Sequence, residues 1–258
     1  MYRPIDFKGK FYQESRTGMT KAVSDRECIV MCMRSNMPIM AGLYDTNGKN
    51  GVYYEVKIIR MEGIIAIGNA IASRTHRVPC TTNVIVGSVC TPNPDWRFPG
   101  WSRLGVGLHL DDCRKFYQEP GEGQEYETSG LLPAKGFTSE DKNYWIGFGY
   151  EFKTNSVFYT YNGKRLPNAF TGVYTPLREY DVYATIGIQG KNEFEVNFGT
   201  TKFQWKEGNE PSWKVGGHGG VMACAVGGEE EKLIPSDEEA APASDMESHV
   251  ESPTELEK

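Results

Sequence analysis

The hydrophobic pattern of this chain has the period of strands rather than helices. Val52-Tyr-Tyr-Glu-Val-Lys-Ile-Ile-Arg60 alternates apolar and polar positions in part and is rich in β-branched and aromatic residues, which suit a pleated, half-buried surface. Similar runs recur at Glu27–Met33, Val84–Cys90, Arg103–Leu110, Tyr144–Phe152, Ser156–Tyr161, Tyr183–Gln189 and Phe194–Phe198. Turn residues separate them. Asn162-Gly163 lies between Phe158-Tyr-Thr-Tyr161 and Lys164-Arg-Leu166, and a two-residue loop of this kind favours φ > 0 at both positions, so it predicts a hairpin. Asn47-Gly48 and Asn50-Gly51 mark a turn just before the Val52 strand. With no convincing amphipathic helix and no internal repeat, the pattern predicts an all-β sandwich or barrel. Two long connections, 91–101 with three prolines and two tryptophans and the polar stretch 118–142, are candidates for functional loops.

Composition divides the chain in two. All 31 aromatic residues lie at or before Trp213. From Glu229 to Lys258 there are 11 acidic and 2 basic residues, a charge of −9, whereas residues 1–228 carry 26 basic and 23 acidic residues, a charge of +3. The tail holds too little apolar surface to offset the entropy of ordering it, so it is expected to be disordered. A body at +3 argues against nucleic-acid binding. Met1–Lys8 has no apolar h-region, so no cleavable signal is expected. The longest apolar run, around Ile64–Ala72, is far short of the roughly 20 residues of a membrane helix, so no membrane span is expected. Without a signal or an Asn-x-Ser/Thr sequon, the six cysteines read as reduced thiols. The expected location is the cytoplasm, with the nucleus or the periphery of endomembranes as alternatives.

Val52-Tyr-Tyr-Glu-Val-Lys-Ile58, Phe98-Pro-Gly-Trp101, Asp111-Asp-Cys-Arg-Lys-Phe116, Trp145-Ile-Gly-Phe-Gly-Tyr150, Val157-Phe-Tyr-Thr-Tyr-Asn-Gly-Lys164, Tyr183-Ala-Thr-Ile-Gly187 and Glu195-Val-Asn-Phe-Gly199 resemble, in order, the signatures of SPRY domains. Each is short, but together they span about 180 residues. Ser35-Asn-Met-Pro-Ile39 and Lys202-Phe-Gln-Trp205 resemble most the Ran-binding-protein-M group and the fungal vacuolar SPRY adaptors of ubiquitin ligases. The resemblance implies a bent antiparallel β-sandwich of the concanavalin-like jelly-roll type that binds proteins through loops and does no catalysis. It places an N-terminal extension at 1–20, the sandwich at 21–206, a Gly-rich linker at 207–228 and the acidic tail at 229–258. About 37 residues separate the Val52 strand from the Phe98 loop, more than such domains use. Val84-Ile-Val-Gly87 leads directly into that loop and is the preferred strand, which makes 62–83 an expected insertion. No proline is followed by another, so the Pro-Pro-x-Tyr ligase-docking motif of the fungal adaptors is missing.

The resemblance implies a partner-binding surface built from Pro38, Ile39 and Met40, from Trp101 and Arg103 after the Pro-Gly-Trp turn, and from Gln189 and Lys191 after the Tyr183 strand. Aromatic and Arg anchors in a preformed pocket would carry most of the affinity for a short peptide of a partner protein. The expected role is that of an adaptor or scaffold subunit linked to ubiquitin ligases or trafficking. The alternative is a lectin-like sandwich that stacks sugars on Trp96 and Trp101.

His76-x-x-x-Cys80, His109-x-x-x-Cys113 and Cys28-x-x-x-Cys32 are each a two-ligand spacing, but on a strand i and i+4 lie about 13 Å apart, and structural zinc uses tighter knuckles. No metal and no cofactor is expected. Asp111-Asp112 is a carboxylate pair of the kind used in acid–base chemistry, yet no Gly-x-Ser-x-Gly, His-Glu-x-x-His or phosphate loop accompanies it. No catalytic residue is therefore assigned. In the tail, Ser236, Ser244, Ser248, Ser252 and Thr254 each precede an acid by three residues, the pattern of acidophilic kinases, and phosphates there would deepen the negative charge.

Overall fold

Two strands carry the architecture, and both outrun the segments that the pattern suggests. In the computed structural model, which describes residues 1, 3, 6–35, 38–41, 46–73, 96–102, 104–174 and 180–213, one strand runs unbroken over Gly51–Ser73 (β5) and another over Tyr180–Asn197 (β11). They pair antiparallel along nearly their whole length, from Asn197 opposite Glu55 to Tyr180 opposite Ser73. The other strands are β1 (Gly9–Gln13), β2 (Thr20–Ser24), β3 (Met31–Arg34), β4 (Met40–Ala41), β6 (Val106–His109), β7 (Lys115–Tyr117), β8 (Tyr144–Glu151), β9 (Ser156–Tyr161) and β10 (Lys164–Phe170). Every pairing among them is antiparallel.

The long pair bends, and the bend makes the sandwich. The N-terminal half of β5 and the C-terminal half of β11 belong to one arm, ordered β1-β2-β11-β5-β8-β9-β10. Their other halves belong to a second arm, in which β3 and β4 pair with β11 while β6 and then β7 continue from β5. Between the arms the register slips at Glu193/Phe194, the kind of bulge that bends and twists a strand. Gly63 sits opposite Gly190 there, and a Cβ on Gly63 would lie 2.0 Å from the Gln189 carbonyl oxygen. Hydrogen bonds between the arms show that they face each other: Tyr54 Oη donates to Gly68 O at 2.5 Å and Tyr159 Oη to Ile67 O at 3.3 Å. The space between is filled by Tyr54, Val56, Ile58, Ile65, Ile67, Leu108, Ile146, Phe148, Tyr159, Ile186 and Phe194, all fully buried.

The all-β antiparallel expectation stands, and so does the Asn162-Gly163 hairpin, where both residues take positive φ of 47° and 77° and join β9 to β10. Four expectations are corrected. Residues 62–73 are no insertion but the second half of β5, with Ile65 and Ile67 in the core; the preferred alternative strand at Val84–Gly87 lies outside the described residues. Tyr183–Gln189 and Phe194–Phe198 are parts of one strand, because Gly190 turns through positive φ (74°) without leaving the ladder. The run Glu27–Met33 is strand only from Met31 to Arg34. Residues 9–13, expected to precede the sandwich, pair with β2 as β1, and Phe7 reaches the core.

Candidate protein-binding surface

The outer face of the second arm is paved with small residues, and the chain uses this floor to seat a loop. Ala66 of β5 lies between Gly187 of β11 and His109 of β6, with Gly68 and Gly107 paired alongside. The Phe98-Pro99-Gly100-Trp101 loop lies directly on them. A Cβ on Gly187 would come within 2.4 Å of the Phe98 ring, and one on Gly107 within 2.2 Å of Pro99 O. His109 anchors the loop from below. Its Nε2 donates to Pro99 O at 3.1 Å, and its ring stacks on Phe116 at 3.9 Å with Phe98 at 5.3 Å and Trp101 at 5.7 Å. Burial holds this imidazole down at about 4 against the opposing pull of the Pro99 carbonyl, so it is neutral at pH 7. The His109–Cys113 pair thus has a packing role for its histidine. The acidic pair ends in a turn, where Asp112 Oδ1 accepts the Arg114 N–H at 2.9 Å.

Trp101 emerges from this box half-buried, at 5.1 Å from Phe98, and its indole N–H is buried with no acceptor among the described residues. Arg103 lies outside the described residues. Five residues before Trp101, Trp96 is 63 % exposed, with the Arg97 guanidinium over its ring at 4.6 Å.

The other expected contact residues fall in two places along β11. Met40 pairs with Val182 in β4, and the Ile39 N–H donates to Val182 O at 2.7 Å. Pro38 is half-buried and Ile39 buried, while Met40 is fully enclosed. Met40 therefore positions this loop and offers no side-chain surface. Gln189 lies seven residues along β11 from Val182, about 23 Å away at strand rise. It is exposed, and Lys191 is half-buried with Nζ 3.4 Å from Glu62 Oε1. The structure thus separates Gln189 and Lys191 from the Pro38–Met40 segment. Sequence reasoning missed Ile29, which is 66 % exposed and stands beside Gln189 and Lys191, since Gly190 N–H donates to Cys28 O. An isoleucine in the polar turn Asp25-Arg-Glu-Cys-Ile29 was the available signal. The tail positions Ser236, Ser244, Ser248, Ser252 and Thr254 lie outside the described residues.

The outer face of the first arm is closed instead. Phe203, Trp205 and Trp213 pack on Tyr53 and Phe158 to form a second aromatic cluster. Glu55 lies beneath it, buried, and accepts from Gln204 N–H at 3.1 Å, Asn197 Nδ2 at 3.2 Å and Tyr53 Oη at 3.3 Å. Desolvation raises its carboxyl to about 7 even though those donors favour the charged form.

Residues 51–201 match the SPRY domain family, which is more than half of the chain. The chain belongs to the SPRY domain family. Its relatives include Protein ssh4 of Sclerotinia sclerotiorum, 27 % identical over 77 % of this chain and 30 % of that protein. Another is an SPRY domain-containing protein of Schizosaccharomyces pombe, 26 % identical over 82 % of this chain and 44 % of that protein. The chain thus spans less than half the length of either. A crystal structure of a human SPRY domain is 18 % identical, with a TM-score of 0.42, covering 72 % of this chain and 94 % of that one. The SPRY domain is a protein-interaction module, and among the described residues this one leaves aromatic surface uncovered at Trp96 and in part at Trp101, as well as at Tyr12 of β1. No helix among the described residues is long and apolar enough to cross a membrane.

Proposed function

We propose that this SPRY domain is the recognition module of a non-enzymatic adaptor or scaffold, gripping a short peptide of a partner protein. The observation that carries the reading is the Phe98–Trp101 loop seated on its glycine floor. Rigid seating removes most of the ordering cost from the binding step, and a half-exposed tryptophan in a preformed setting is the residue type that dominates interface energetics. Arg103, two residues after the tryptophan in the sequence, is proposed to share its pocket, and Pro38 and Ile39, at Val182 about 17 Å along β11 from Gly187, are proposed as a more distant contact. Gln189 lies two residues along β11 from the Gly187 that carries Phe98, about 7 Å at strand rise, and with Lys191 and Ile29 it forms the nearer flank of the platform. A role in ubiquitin-ligase recruitment or trafficking, in the cytoplasm or at the periphery of endomembranes, is proposed with support from the similarity to the Ssh4 proteins, and the acidic tail with its candidate phosphorylation sites is proposed to tune that role.

Partner capture by the full chain should weaken at least tenfold on Trp101→Ala and on Arg103→Ala, since a buried aromatic or Arg anchor contributes about 2 kcal/mol or more. Capture at unchanged affinity with both variants would remove the loop from the binding surface. The lectin-like reading rests on the exposure of Trp96, but Arg97 covers one face of that ring, which leaves only the other for a sugar. Binding on a glycan array that vanishes with Trp96→Ala would favour it over peptide recognition.

A further inference from the structure

At the bend, β5 has a main-chain edge that no strand covers. On the side away from β11, its pairing with β8 stops at Ile58, opposite Tyr144, and its pairing with β6 begins at Ala66, opposite His109. The Leu110 N–H reaches Ile65 O at 2.9 Å, so the polar groups of Ile65 point away from β11. Those of Ile64 point toward it, where Ile64 O accepts from Asn192 Nδ2 at 3.3 Å. Strand alternation then turns the N–H and C=O of Met61 and Gly63 the same way as those of Ile65. Among the described residues nothing bonds to them on that side.

Of the two, Gly63 is accessible while Met61 is 2 % exposed, and the edge borders an open cleft of about 720 Å³, lined by Arg60–Ile64 and by Phe137, Thr138, Ser139 and Lys142. The gap from Ile59 to Ile65 is about 20 Å long, room for an extended segment of some six residues. Its charge is unbalanced. Glu62 already serves Lys191 at 3.4 Å and Arg60 Nε at 3.6 Å. Asp141 accepts the Thr138 N–H and hydroxyl at 2.8 and 3.1 Å. Lys142 is exposed, with no ion pair or hydrogen bond among the described residues. The cleft therefore presents free main-chain donors and acceptors beside an uncompensated cation.

We propose that this cleft takes an extended peptide with an acidic side chain, which adds to β5 as a short strand while its carboxylate faces Lys142, Arg60 being already paired with Glu62 and Glu193. Main-chain bonds of this kind supply affinity and side-chain charge supplies selectivity. The site is separate from the Trp101 platform and does not depend on it. Its recessed position also explains how an open edge avoids pairing with other copies of the chain, the usual hazard of such edges.

The test is an amide-resolved NMR and hydrogen-exchange titration of the full chain with acetyl-Thr-Val-Glu-Val-Thr-Val-amide, beside a control in which lysine replaces the glutamate. The Gly63 amide should exchange rapidly in the free protein, then shift and slow as the glutamate peptide saturates, and the buried Met61 amide should shift with it. Lys142→Glu, a substitution at an exposed position, should weaken binding about 5- to 10-fold, the size of an exposed charge pair turned repulsive. Trp101→Ala should leave it unchanged. A protected Gly63 amide in the free chain, no peptide shift at Gly63, or equal affinity for the lysine peptide would overturn the proposal. A peptide whose binding disappears with Trp101→Ala belongs to the loop platform and overturns it as well.

Discussion

At the scale of single residues, Glu55 couples the sandwich to pH. It sits in the family's Tyr-Tyr-Glu-Val run, but its alternation with Tyr54 and Val56 points it outward, beneath the Phe203–Trp213 segment rather than into water. A carboxyl raised from 4.5 to about 7 binds its proton more tightly folded than unfolded. Stability from this group is then fully present below pH 4.5 and is lost as pH rises through 7. Denaturant titrations should show stability falling by about 2–3 kcal/mol between pH 4.5 and pH 8, and Glu55→Gln should flatten that slope. A slope that survives the substitution would assign it to other groups. His109 shows the opposite sense, a neutral imidazole whose hydrogen bond to Pro99 O fixes the Trp101 loop.

At the scale of elements, the most consequential piece is one with almost no regular structure. Residues 203–213, with two 3-10 turns at Glu207–Asn209 and Pro211–Trp213, cover the first arm. Trp213 meets Trp205 at 4.7 Å and Phe158 at 5.6 Å, and Ser212 O and Oγ bind Asn50 at 2.7 and 3.0 Å. A chain ended at Lys206, the proposed limit of the sandwich, should be about 3–5 kcal/mol less stable than one ended at Trp213, the range for losing a buried Trp. Trp213→Ala in the full chain should reproduce most of that loss in chemical denaturation. Equal stability of the two truncations would show that the segment does not hold the arm. The sequence signalled this region by the Lys202-Phe-Gln-Trp205 motif and by the last aromatic, at Trp213, but placed the end of the sandwich at Lys206. The strand-rich core was legible because β8, β9 and the Asn-Gly hairpin announce themselves by alternation and turn chemistry. β1 and β2 were not, since Gly9–Gln13 and Thr20–Ser24 are short and mostly polar. The strand expected over Val52–Arg60 runs on through Met61-Glu-Gly63, which is the bend of a continuous strand and not the start of an insertion, a distinction set by the partner strand and not by local preference. For the binding surface, the sequence found Trp101 by motif, while the glycines that seat it lie on three strands and become one floor only once those strands pair.

At the scale of the whole molecule, β5 and β11 belong to both arms, so the two arms share one continuous central pair. Removing either strand's outer half strips the other arm of its central pair and exposes the shared layer of Tyr54, Ile58, Ile65 and Ile186. The ladder that joins them links residues as far apart as Glu55 and Asn197, and closing such distant contacts makes folding slow, on the millisecond-to-second scale of sandwiches of high contact order. The two arms should therefore unfold as one unit. Guanidinium transitions followed by far-UV circular dichroism, by fluorescence of the Trp205–Trp213 cluster and by hydrogen exchange at Ile67 and Ile186 should coincide, as a two-state transition requires. If the tryptophan cluster melts at lower denaturant while Ile67 and Ile186 stay protected, the first arm opens on its own and the shared strands do not enforce cooperativity. Coincident transitions would mean that the Trp101 platform on the second arm inherits the stability of the entire sandwich, including the distant cap at Trp213.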